Sequence, residues 1–226
     1  MPKNIIYWTI DYCYLLFGKL LMYLYKNPPK HYLDYVIKGK KPVILIPGNS
    51  NKWGFLKKLA DHISSLGHPV YIVNKLGSNL LNISTSAKIV RKIIDENKLE
   101  KVIMIGHSKG GVVGKYILAH ENKDDKITRL IAIAAPFSGT NIVNHLPYES
   151  LRELSPKSKI IQELDSNEKV NSKIVSLMPE FDNHVWSEKG SFLEGALNIK
   201  VPIKGHHKIV FDKDVISKIT ELIENK

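Results

Sequence analysis

Residues 102–111 read V-I-M-I-G-H-S-K-G-G, and this stretch constrains the fold more than any other. Val102, Ile103, Met104 and Ile105 form a continuous apolar run, the pattern of a strand covered on both faces near the centre of a parallel sheet. From residue 112 the apolar spacing is helical, so strand must pass to helix within a few residues. The turn between them is sharp. Its centre is held in a strained backbone conformation with the side chain projecting, and its flanks must be small because strand and helix nearly touch. Gly106 and Gly110 supply that room, and Ser108 is the residue presented. G-x-S-x-G alone is a weak pattern; between an apolar strand and a helix it is a specific one.

The rest of the chain repeats the alternation. Short β-rich runs at 42–46, 70–73, 102–105, 130–134, 174–177 and 199–201 are predicted strands. Helical spacing covers 53–66, 84–97, 112–120 and 215–223, with Gly67 as a stop and Ser84 as a cap. Strands separated by helices imply a parallel sheet covered by helices. With 226 residues, 43% of them hydrophobic, the chain suits one substantial core. We expect an N-terminal helix and linker over 1–30 and one globular domain over 31–226.

Residues 5–25 are apolar and aromatic over nearly the length that spans a bilayer, but Asp11 and Lys19 interrupt them. On a helix, Asp11, Lys19 and Lys26 fall on one side with Gly18, while Ile6, Ile10, Leu16, Phe17, Leu20 and Leu24 fall largely on the other. Two readings stand side by side: peripheral membrane contact by an interfacial helix, or a helix packed on the domain's own core. The first goes with a cytoplasmic protein held at a membrane through this segment. Asn27, Pro28, Pro29 and Lys30 then break the helix.

Charge narrows the partners. There are 33 Lys and Arg against 22 Asp and Glu, a net charge of +11, yet the cations are dispersed and no nucleic-acid motif accompanies them, so no nucleic-acid partner is expected. One cysteine, Cys13, excludes an internal disulfide and any thiolate metal site. Neither G-x-x-x-x-G-K-[ST] nor a post-strand G-x-G-x-x-G is present, which removes the common nucleotide folds.

From about Lys41 onward, the order of several stretches resembles a small lipase- or esterase-like member of the α/β-hydrolase family. Residues 43–49, V-I-L-I-P-G-N, resemble the strand that ends in H-G in that family, with Pro47 where His is usual. Residues 133–140, I-A-A-P-F-S-G-T, resemble the strand end beside the active site, and 154–164 the cap. The resemblance implies an α/β-hydrolase fold, with a mostly parallel sheet of about six strands flanked by helices; it makes 31–226 the catalytic domain, with a short helical cap insertion at about 141–173.

It also implies a serine hydrolase that cleaves carboxylic esters, of lipids or other acyl groups, through a Ser-His-Asp triad and an acyl-enzyme. Ser108 is then the nucleophile, and the chain order Ser, acid, His carries the acid to Asp182 in E-F-D-N-H-V and the base to His206 in K-G-H-H. His207 is the alternative base. The oxyanion-hole donors are the N–H of Lys109 and that of Asn49, with Ser50 as the alternative. His107 is expected to be structural, and His62, His68, His120, His145 and His184 to lie on the surface or in loops. No metal or organic cofactor is implied. An acyltransferase or amidase using the same triad, or a non-catalytic membrane- or partner-binding module, are the competing functions.

Overall fold

A computed structural model of the chain describes residues 2–145, 149–187 and 189–225. Six strands, β1 (Val43–Ile46), β2 (Val70–Ile72), β3 (Val102–His107), β4 (Ile127–Ile133), β5 (Ile174–Phe181) and β6 (Leu197–Lys204), pair in the order β2-β1-β3-β4-β5-β6. Every neighbouring pair is parallel. Parallel neighbours need crossovers, and α3 (Lys57–Ser65), α4 (Ile83–Glu96), α5 (Lys109–His120) and α6 (Lys159–Ser166) lie in them. Before the sheet come α1 (Pro2–Leu24) and the single turn α2 (His31–Asp34); α7 (Lys213–Glu224) closes the chain.

Alternation along the strands divides the core. Ile44, Ile46, Val102 and Met104 face one apolar cluster with α4 and α5, while Val43, Leu45, Ile103 and Ile105 face the other with α3 and α7. β1 and β3 are buried at every position, which is why both read as unbroken apolar runs. The sheet grows to one side from β1 to β2 and to the other from β3, so the order reverses between β1 and β3. Open α/β sheets leave a crevice beyond the strand ends at such a point. The loop after β1 and the turn after β3 meet there.

Three local expectations need correction. The α4 cap is Asn82, whose side chain accepts from Thr85 N, and not Ser84. Residues 53–56 form a 3-10 turn before α3. β4 ends at Ile133, because Ala134 turns to φ 50°. Between β4 and β5, residues 141–173 carry 3-10 turns and α6; residues 146–148 of this expected cap lie outside the described ones.

Helix α1 packs on the domain through Tyr14, Leu15, Leu21 and Met22, but not through the apolar stripe named above. Its charged side faces the protein. Asp11 is fully buried, Lys19 donates to Ser50 O, and Gly18 lies so close to the Phe55 ring that a Cβ would sit 2.2 Å from it. Ile6, Leu16, Leu20 and Leu24 on the other side are exposed.

Candidate active site

The turn after β3 is built as its sequence requires. Ser108 adopts φ 53° and ψ −124°, a conformation L-residues rarely hold, and caps the N-terminus of α5. Two hydrogen bonds keep it there: Ser108 N donates to Ile133 O (2.8 Å) and Gly111 N to Ser108 O (2.9 Å). A Cβ on Gly106 would lie 2.4 Å from the Gly110 carbonyl, and one on Gly110 2.2 Å from Ile46 O. Strand β1, the elbow and α5 thus touch through backbone alone. Gly48, after β1, is packed against Ser108 as well; a Cβ there would approach the Ser108 Cβ to 3.2 Å.

Ser108, Gly48, Asn49, Ser50, His107, His184, His206 and His207 line one cavity of about 360 Å³. Tyr12, Leu15 and Lys19 of α1 form part of its wall, and Ile142, Val143, Leu151 and Leu154 from the β4–β5 connection form another part. Of the site residues named from the sequence, Ser108, Asn49 and His206 line this cavity, Asp182 joins it through His206, and the Lys109 side chain does not reach it. The Lys109 chain is completely buried and runs away from the cavity, donating to the carbonyls of Asn79 (3.1 Å) and Leu81. Burial pushes its ammonium down to about 8, opposed by the Glu153 charge. Only its main chain, the first residue of α5, remains beside Ser108.

Asp182 follows β5 and His206 follows β6. His206 Nδ1 lies 3.0 and 3.1 Å from the two Asp182 oxygens, so the carboxylate fixes the imidazole tautomer with hydrogen on Nδ1 and leaves Nε2 as the basic nitrogen. Asp182 Oδ1 also accepts from His184 N (2.8 Å) and Val185 N (2.9 Å). Burial disfavours the Asp182 charge, but the His206 charge and hydrogen bond and the two amides outweigh it and hold its pKa below the usual value. Burial likewise opposes a charged His206; Asp182, and Asp11 at longer range, reverse this and raise its pKa. Asn183 Oδ1 accepts from His206 N (3.0 Å), and His107 Nε2 bonds His206 O (3.0 Å). No hydrogen bond joins Ser108 to His206 among the described residues; in ligand-free sites such bonds are often long and tighten on substrate.

His207 has its own carboxylate. Asp11 of α1 accepts from His207 N (2.7 Å), His207 Nδ1 (2.7 Å) and Lys208 N (2.9 Å). The two histidines differ in their approach to the elbow: the His107 ring is 4.9 Å from that of His206 and 6.2 Å from that of His207. His184 lies near-parallel to His206 at 4.9 Å and edge-on to His207 at 4.6 Å, with its Nε2 buried and unpartnered. Burial, then the charges of His206 and His207, push His184 down to about 3. Nitrogens of these three histidines lie within 4.8 Å of one another. A zinc ion bound at its usual distance would draw them to about 3.4 Å, which the near-parallel rings of His184 and His206 do not favour.

A model of the PGAP1-like alpha/beta domain matches residues 72–195, more than half of the chain and including the elbow and Asp182. The chain belongs to this family. The PGAP1-like chain is also similar in structure to Aspergillus fumigatus lipase B (TM-score 0.70, 17% identity, 88% of this chain and 55% of the lipase). It likewise resembles mature Bacillus licheniformis lipase BlEst2 (0.65, 14%, 87% and 96%) and a Paleococcus ferrophilus monoacylglycerol lipase (0.59, 15%, 81% and 95%). It thus spans about half the length of the Aspergillus protein and nearly all of the other two. At these identities the likeness establishes the α/β-hydrolase fold. No curated protein matches the sequence.

Asp11, Asn183 and His184 were not singled out as site residues from the sequence. Asp11 carried a signal nonetheless, since a carboxylate in the middle of an apolar helix needs a specific partner. Asn183 and His184 carried none beyond their nearness to Asp182.

Proposed function

We propose that this chain is a serine hydrolase of carboxylic esters, of lipids or other acyl groups. The observation that carries the reading is Ser108, held at φ 53° on a strand-to-helix elbow and opening into the same cavity as His206, whose Nδ1 is bound by buried Asp182. Ser108 Oγ attacks the ester carbonyl as His206 Nε2 takes its proton, and Asp182 stabilises the imidazolium. The oxyanion is met by the main-chain N–H of Lys109 and of Asn49, at the positive end of α5. Collapse expels the alcohol, which takes the proton from Nε2–H, and water then releases the acid from Ser108. Residues 141–173 act as the cap, setting which acyl groups fit through Ile142, Val143, Leu151 and Leu154. The N-terminal helix is the segment by which the protein meets a membrane; Asn4–Leu24 is long and apolar enough to cross one.

Ser108→Ala tests the reading. Turnover of a short p-nitrophenyl ester and labelling by a fluorophosphonate should both vanish while the fold, followed by circular dichroism, is retained. Unchanged turnover would remove Ser108 from the mechanism.

A further inference from the structure

The outward face of α1 takes no part in the contacts that hold the helix to the domain. Between residues 4 and 24 the only charges are Asp11 and Lys19, and both are turned into the protein. What remains outward is uncharged: Ile6, Leu20 and Leu24 are 58%, 51% and 59% exposed, alongside Ile5, Leu16 and Tyr23. A contiguous apolar stripe of this length marks a surface that something covers. We propose that it seats the protein on an anionic phospholipid bilayer, with α1 lying in the membrane plane and the catalytic cavity opening beside it, so that ester substrates reach Ser108 from the lipid. The second half of this proposal rests on the hydrolase reading; the first does not.

The helix is fixed flat on the domain. It packs against the 3-10 turns Trp53–Leu56 and Lys208–Phe211, and Lys52 N and Trp53 Nε1 bond to Met22 Sδ and Lys26 O beyond Gly18. Crossing the bilayer would strip Asp11 of its three hydrogen bonds and place a carboxylate in hydrocarbon. One face can enter lipid while the other stays on the protein, which is the geometry of an interfacial helix.

Charge selects the occupant. Lys204, Lys58 and Lys57 place their ammonium groups over the rings of Tyr7, Phe17 and Tyr25, at 4.8, 5.3 and 4.4 Å, so cations border α1 from near its start to its end, Lys57 and Lys204 being shared with Asp61 and Glu180. A second copy of a chain carrying +11 would bring the same cations to the same face and be repelled, whereas anionic headgroups complement them. Trp8, Tyr12 and Tyr23 supply the amphipathic rings favoured at headgroup depth. Tyr12 also joins this face to the chemistry. It lines the cavity that holds Ser108 and also belongs to the open outer strip of α1 formed with Ile5, Trp8, Cys13 and Leu16.

The full chain should float with phosphatidylcholine vesicles containing phosphatidylglycerol and much less with phosphatidylcholine alone, weakening as salt is raised. Replacing Ile6, Leu20 and Leu24 together by Ser should lower partitioning on the order of a hundredfold. Turnover of a vesicle-borne ester should fall with it, and turnover of a soluble short-chain ester should not change. Failure to float with either vesicle overturns the seat, and equal flotation with both overturns the anionic assignment. A dimer in sedimentation that the triple variant makes monomeric shows instead that copies of the chain cover the face. Flotation with no hydrolysis of any ester upholds the seat and refutes the hydrolase reading.

Discussion

His206 and His207 are adjacent in the chain, buried, and each bound through Nδ1 to a carboxylate, and we propose different ends for them, His206 as the base and His207 as the anchor of α1. Asp182 reaches His206 from the loop after β5, while Asp11 reaches His207 from α1 and ties the helix to the loop after β6. His206→Gln should therefore cost roughly 10⁴-fold in kcat. His207→Gln should cost far less and chiefly loosen the helix, and equal losses would mean that the base has been misassigned. The raised pKa of His206 gives this prediction a sign. A base must be neutral to act, so the acid limb of kcat/KM should lie above the ordinary imidazole value of 6.5. Asp182→Asn should move that limb to lower pH as well as slow the reaction. Asp11→Asn, acting through its neighbour's loop, should shift the limb in the same direction by less, with kcat reduced and KM for a soluble ester little changed; an unshifted limb would leave Asp11 a purely structural role.

At the scale of elements, the elbow is the junction with least tolerance. Gly110→Ala would drive a methyl into the Ile46 carbonyl oxygen, and neither β1 nor α5 can retreat because both are fixed by the sheet and the core. A loss of about 3 kcal/mol or more is expected, read as a fall in thermal midpoint or in soluble yield. The caps are milder tests. Asn82→Ala removes the acceptor for Thr85 N at α4 and should cost about 1 kcal/mol in chemical denaturation, whereas Ser84→Ala should cost little, since Ser84 does not cap the helix.

For the whole molecule, buried ionisable groups make stability fall in acid. Asp182 and Asp11 have lowered pKa values, so their contribution is present above the usual carboxylate value of 3.8 and is lost as pH falls through the folded ones. His107, His184 and His207 are held neutral by burial, and the unfolded chain binds their protons first, so stability begins to drop as pH falls below about 6.5. Only His206 opposes this: its contribution is complete below 6.5 and fades as pH rises through its raised value. The thermal midpoint should decline steadily from pH 7 to pH 4, and a flat profile over that interval would contradict the burial of the histidine cluster. The +11 charge adds self-repulsion in the same direction.

Local pattern alone determined the sheet, most of its helices and the elbow, because buried strands, helical spacing and a glycine-flanked turn are written in neighbouring residues. Ser108 was proposed as nucleophile for the same reason, whereas Asp182 and His206 were proposed by resemblance alone, since the pattern ended their strands at 177 and 201 and the structure extends them to Phe181 and Lys204. Tertiary structure decided what depends on contacts between distant segments. It set Asp11 against His207, 196 residues away, turned the Lys109 side chain to Asn79 and Leu81, and placed His184 on His206. It also chose which side of α1 faces the protein. A helical stripe gives two faces but not their direction, and here it is set by Asp11 bonded to the loop after β6 together with Tyr14, Leu15, Leu21 and Met22 packed on the core.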